Sequence, residues 1–281
     1  MTPDWETNCV YFSRLLVDRF PPLIEQLAWT IPEHDTPVRF LDGTRDIWAR
    51  DYCPVQVGPR GLVQFRYEPD YLRGGYEGLI TNADTVCRQL EDLGPCPMTD
   101  VVLDGGNVVA SKNRVILTDK IYRENPNFPR DHLQARLREL FQVEDCIIIP
   151  KEPGDSIGHA DGVVRFLMED LVVANDYTKV DPGYGRRLHS VLAQHDLQVV
   201  KLPYFVENRK CDGIDSAVGN YVNFLRVGNL VFVPAYGVPQ DGQACAALEA
   251  ACPKLAIVPV PCVDLAREGG VLNCISWTAR V

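Results

Sequence analysis

The stretch Gly158-His159-Ala160-Asp161-Gly162 lies between an apolar run at 146–150 and a paired-strand pattern, 163–166 with 171–174. A polar turn in that position is one member of a series. Arg45-Asp46-Ile47-Trp48-Ala49-Arg50-Asp51, Asp104-Gly105-Gly106-Asn107, Gly219-Asn220-Tyr221-Val222-Asn223 and Gly269-Gly270-Val271-Leu272-Asn273-Cys274 follow apolar runs at 38–41, 101–103, 199–203 and 256–260. Continuous Val/Ile runs of this kind predict strands buried on both faces. Helical patterns precede them at 22–29, 83–93, 131–141, 183–195 and 242–252, with Asn82 or Asp84, Asp131, Asp181-Pro182 and Asp241 at their starts. The middle three turns open hairpins: 108–110 with 115–118, 163–166 with 171–174, and 221–225 with 230–234. Five similar units that cannot bury their faces alone predict radial closure around an axis, with the polar turns gathered at one end. The expected fold class is therefore α/β, a five-bladed propeller of ββαβ-type repeats forming one domain over 1–281. The strand-like segment Cys9–Ser13 is expected to pair with the last unit.

Composition narrows the function. Lys and Arg number 28 against 38 Asp and Glu, a net charge of −10, which disfavours a nucleic-acid partner. With 46% apolar and 23% charged residues the chain is globular. No apolar run approaches the ~20 residues of a membrane span, and the first residues lack a secretory pattern, so the expected compartment is the cytoplasm and no membrane partner is expected. The ten cysteines contain no Cys-x-x-Cys pair, which leaves a metal site without support. A disulfide framework is not expected, and most thiols should pack as small hydrophobes.

Each candidate residue has a plain reading beside the chemical one. His159 could be a satisfied loop histidine, Asp51 a cap or a partner of Arg50, Asp104 a turn former, Trp48 core, and Cys274 an inert thiol. Their joint placement in equivalent turns changes the balance, because a ring brings Asp51, His159, Asp161 and Cys274 together. Two carboxylates suit a planar guanidinium through bidentate hydrogen bonds. A bound cation lowers a thiol's pKa, and an imidazole can carry protons to and from the reacting centre. Cys274, His159, Asp161 and Asp51 are thus the candidate catalytic set. Asp51, Asp161, Trp48, Asp104, Asn220 and Asn223 are candidate substrate contacts.

The segments Trp48-Ala49-Arg50-Asp51-Tyr52-Cys53-Pro54, Leu103–Asn107, Gly158–Gly162, Asn220–Phe224 with Val233-Pro234, and Gly269–Cys274 resemble, in order, those of the guanidine-modifying superfamily. The similarity is to its agmatine deiminase and bacterial peptidyl-arginine deiminase branch. It implies the propeller of the pentein type, covalent catalysis by Cys274 with His159 as acid and base, and a grip on the guanidinium by Asp51 and Asp161. It also implies no cofactor, and a small cationic guanidino substrate converted to a ureido product and ammonia, with agmatine the first expectation. Ala49, Tyr52 and Cys53 depart from the Trp-Ile-Arg-Asp-Thr-Gly-Pro typical of agmatine deiminases, and Val271-Leu272-Asn273 from their Asn-Ile-His before the cysteine. The attached amine is therefore open. Peptidyl-arginine or arginine deimination, amidino transfer and a non-catalytic propeller are the alternatives, and association into a homo-oligomer is left open.

Overall fold

The computed structural model describes residues 1–281. β1 (Cys9–Ser13) runs parallel to β2 (Val38–Leu41) across the helix Pro21–Thr30. The next unit is β3 (Val55–Gln56) antiparallel to β4 (Leu62–Arg66), the helix Ala83–Cys87, and β5 (Met98–Val102) parallel to β4. The same order recurs in β6 (Val109–Ala110), β7 (Arg114–Thr118), the helix Arg130–Phe141 and β8 (Asp145–Ile149). It recurs again in β9 (Val164–Met168), β10 (Leu171–Asn175), the helix Pro182–Gln194 and β11 (Gln198–Leu202). A small hairpin, β12 (Lys210–Cys211) with β13 (Ile214–Asp215), precedes the unit of β14 (Leu225–Val227), β15 (Leu230–Ala235), the helix Pro239–Ala251 and β16 (Ala256–Pro261). Finally β17 (Ser276–Ala279) returns antiparallel to β1, with Cys9 opposite Ala279, as expected for the N-terminal segment. The result is five separate three-stranded sheets of ββαβ connectivity, not one closed sheet.

Helix periodicity explains how each unit is covered. Leu133, Leu137 and Phe141 are buried along one face of the helix Arg130–Phe141, and Tyr184, Leu188 and Leu192 along one face of the helix Pro182–Gln194. Spacing of four puts each set in one stripe against its sheet. Asn82 and Asp181 cap their helices, accepting from the backbone N–H of Asp84 and Tyr184 at 2.9 and 2.8 Å.

Four expectations need correction. The hydrogen-bonded unit is hairpin, helix, strand, so each polar turn is a crossing from one sheet to the next rather than part of one. The strand expected at 221–225 begins only at Leu225, because Asn223 is drawn out of the ladder to bond the 273–274 turn. The hairpin β3–β4 was not anticipated, although Gly58 (φ 68°) supplies the left-handed backbone such a turn uses. Among the thiols, Cys87 and Cys96 stand as a disulfide, with Cα atoms 6.0 Å apart, where none was expected. The chain doubles back between them, from a helix end into β5. Cys9, Cys53, Cys146 and Cys262 are buried and unpaired. No helix is long and apolar enough to cross a membrane.

Candidate active site

All five crossing turns meet in one region, and side-chain amides hold them there. Asn107 Oδ1 accepts from the backbone N–H of Thr118 (2.9 Å) and of Ala160 (3.2 Å), tying the second turn to the third. Asn223 Oδ1 accepts from the N–H of Asn273 and of Cys274 (3.2 and 3.3 Å) and lies 3.3 Å from Cys274 Sγ. Asn273 Nδ2 donates to Asp161 Oδ2 at 2.6 Å, and the N–H of Arg50 donates to the Cys274 carbonyl at 3.1 Å. The last turn is thereby fastened to three of the other four.

Gly106 is required by a close approach. A Cβ there would stand 2.5 Å from both Asp51 Oδ1 and His159 Nδ1, while the glycine N–H donates to Asp51 Oδ1 at 3.1 Å. Gly106→Ala is expected to push Asp51 and His159 out of place and lower kcat/KM roughly 100-fold. Steady-state kinetics on a variant whose circular dichroism matches the parent's checks this; near-parental turnover would refute it.

A cavity of about 590 Å³ opens onto this region, lined by Trp48, Asp51, His159, Asp161, Asn220, Asn223 and Cys274. Seven of the eight site residues named from the sequence therefore line one cavity. Asp104 does not. It is fully buried, and its Oδ2 is taken by His159 Nε2 at 2.9 Å and Lys120 Nζ at 2.6 Å, so the imidazole stands between it and the cavity. Asn220 donates from Nδ2 to the Gly162 carbonyl at 2.9 Å, and its Oδ1 has no partner. The indole of Trp48 backs onto Gly270, where a Cβ would meet it at 2.5 Å.

The electrostatics follow from this geometry. Burial pulls the His159 imidazole down, but Asp51, 3.5 Å from Nδ1, and Asp104 on Nε2 outweigh both burial and the Lys120 charge. The net is a rise to about 9, so the ring is cationic at neutral pH. Burial raises Asp51 to about 6 against the pull of His159. Burial, then the charges of Asp161 and Asp51, pushes the Cys274 thiol well above its usual value. Without a cation in the cavity, the thiol is a poor nucleophile.

Four contributors escaped the sequence reading. Tyr71 donates to Asp51 Oδ2 at 3.2 Å. Asp46 lines the cavity and is raised to about 7, by burial first and then by Asp51. Lys120 and Glu124, 3.0 Å apart, stand behind Asp104. Asp46 sits inside a turn already singled out; the other three carry no motif signal. No group of three or more His, Cys, Asp or Glu is placed to hold a metal ion.

The sequence pattern of the Porphyromonas-type peptidyl-arginine deiminase family matches residues 23–279. The chain belongs to that family. As a peptidyl-arginine deiminase family member it is an enzyme of the guanidine-modifying hydrolase kind. It is 27% identical over 282 aligned residues to an agmatine deiminase of Ectopseudomonas mendocina, covering 86% of this chain and 77% of that one. In fold it is similar to the agmatine deiminase of C. jejuni (TM-score 0.80, 16% identity, 99% and 95% of the two chains). It is similar also to that of Enterococcus faecalis (TM-score 0.79, 18% identity, 100% and 96%).

Proposed function

We propose that this family member hydrolyses a small guanidine to a ureido compound and ammonia, with Cys274 as nucleophile and His159 as acid and base. The observation that carries the proposal is the meeting of a thiol, an imidazole and two buried carboxylates in the lining of one cavity. We read the five ββαβ units as arranged radially, which accounts for the convergence of turns drawn from every part of the chain. Agmatine, the substrate in the names of the relatives, is the first compound to test.

The geometry suggests an order of events. Asp51 and Asp161 receive the guanidinium, a cation too costly to bury unpaired. Its charge offsets the two carboxylates that hold the Cys274 proton in place, so once the substrate is bound the thiol ionises and releases its proton to solvent through the open cavity, His159 being already protonated. The thiolate attacks the guanidinium carbon, which direct attack by neutral water reaches only slowly. His159 gives a proton to the departing nitrogen, leaving a planar S-alkylthiouronium. Water adds to it, His159 takes the proton, and the adduct collapses to product and free Cys274. Asn223 holds the thiol through both its oxygen and the Cys274 N–H. Asp104 acts through His159 as a positioning residue rather than a substrate contact, and Lys120 keeps it ionised. Water as the second nucleophile makes the reaction a hydrolysis, which takes place in the cytoplasm on this reading.

The test is ammonia and ureido product from a guanidine panel, followed against pH. Guanidine binding needs ionised Asp51, whose pKa is raised, so affinity should be lost below pH 6 by about tenfold per unit. Turnover should fall above pH 9 as His159 loses its proton. The acidic limb thus belongs to a carboxylate rather than to the thiol. A panel that yields no ammonia, or binding flat from pH 5 to 7, would contradict the proposal.

A further inference from the structure

A second cavity, of about 50 Å³, is lined by Asp4, Arg50, Arg165, Asn273 and Thr278 among others. It shares no lining residue with the cavity of His159 and Cys274: Asp51 lines one and its neighbour Arg50 the other. Positive charge here exceeds negative. Arg165 is buried, pairs with Asp4 and donates to the Phe224 carbonyl at 3.0 Å. Arg226, whose charge also acts on Asp4, spends its donors on the carbonyls of Leu167 and Gly228 at 2.7 and 2.9 Å. Arg50 is less well served. Its Nε reaches the Asn273 carbonyl only at 3.5 Å, and its Nη2 is shut off from solvent with no partner. Asp4 is committed to Arg165, and Asp161, the other carboxylate acting on Arg50, takes the Asn273 amide and lines the other cavity. Burial holds the Cys53 thiol far above its usual value, so it brings no charge. Three guanidinium groups thus share one carboxylate, and a buried cation without a counter-charge is costly. The Thr278 hydroxyl, in the same lining, is likewise buried without a partner.

We infer that this cavity is a binding site for one small inorganic anion of the size of chloride, held by Arg50 together with Arg165 and the Thr278 hydroxyl. At the ~10–15 Å³ that a water needs, the space takes roughly three or four waters, or one halide with a water beside it. Water alone would satisfy the donors but not the charge. The lining is drawn from distant parts of the chain: the segment before β1 (Asp4), the first crossing turn (Arg50), β9 (Arg165), the last turn (Asn273) and β17 (Thr278). The Arg50 N–H already donates to the Cys274 carbonyl, so the ion fastens, from the side away from substrate, the two turns that carry Asp51 and Cys274. The inference does not depend on the guanidine-hydrolase reading.

The experiment is thermal unfolding of the full chain at a fixed ionic strength of about 0.3 M, where surface charges are screened alike. Sodium chloride or bromide replaces sodium gluconate, whose anion is too large for the cavity. Tm should rise by roughly 3 °C and level off above about 100 mM halide, as a single saturable site requires. Arg50→Met, which removes the uncompensated charge, should lose the rise. A second arm needs no variant. Crystals of the parent grown in gluconate and brought to about 100 mM bromide should show an anomalous peak within hydrogen-bond distance of the Arg50 and Arg165 guanidinium groups. A Tm that does not respond, a rise that never levels off, or one equally large in Arg50→Met would overturn the inference. So would bromide found as an adventitious ion only, on the surface, with water beside Arg50.

Discussion

Cys274→Ser is expected to retain less than about 1% of the parent's turnover while still binding guanidines. Serine keeps the shape of the side chain and can accept the Cys274 partners, but its hydroxyl does not ionise in this setting. The site already works against an anion at this position, since burial, Asp161 and Asp51 all raise the thiol. Only the arrival of a cation relieves that opposition, and a hydroxyl starts too far from ionisation to profit. Isothermal titration with a guanidine should show binding within a few-fold of the parent's. Turnover of more than a few per cent, or alkylation by a haloacetamidine falling chiefly on another cysteine, would refute the assignment. Exposed Cys211 is the informative control, because it also lines the cavity.

The second large effect belongs to the carboxylates. Asp51→Asn and Asp161→Asn should each cost roughly 3–5 kcal/mol of transition-state stabilisation, two to four orders of magnitude in kcat/KM, because a buried guanidinium loses its counter-charge. Asp51 is 7% exposed and Asp161 2%, so solvent cannot substitute for either. Asp51→Asn carries a further signature. Asp51 raises both the His159 and the Cys274 pKa, so its neutralisation should make the free thiol more acidic. Alkylation by neutral iodoacetamide should then speed up while catalysis collapses. A merely structural role would move both rates in the same direction. Near-parental kcat/KM in either variant would remove the carboxylate from the substrate's grip.

Much of this arrangement is legible from the chain alone, and the reason is periodic. Strands such as Val38–Leu41 and helices such as Arg130–Phe141 announce themselves by apolar runs or stripes, and the crossing turns by Gly, Asp and Asn in the same place after each strand. Because those turns recur, Asp51, His159, Asp161 and Cys274 can be placed together before any coordinate is known. What stays hidden depends on contacts across sequence without a periodic trace. Lys120 reaches Asp104 from sixteen residues away on a short helix that no pattern marks, and Tyr71 reaches Asp51 from an irregular stretch. Asp104 has a motif that draws attention but does not say which side of His159 it occupies. Direction is a tertiary property: Asp104 and Asp161 both belong to crossing turns, yet one faces Lys120 and the other the cavity. The Cys87–Cys96 pair is hidden for the same reason, since spacing alone does not bring two thiols face to face.

The central claim is that Cys274 forms a covalent bond to the guanidino carbon. Its most direct test is mass spectrometry of the enzyme quenched in acid during steady-state turnover of a guanidine, followed by peptide mapping. The account predicts an added mass equal to the substrate less ammonia, carried by the peptide containing Cys274 and absent from Cys274→Ser. Steady turnover with no adduct in that peptide at any quench time, or an adduct on a different cysteine, would contradict it.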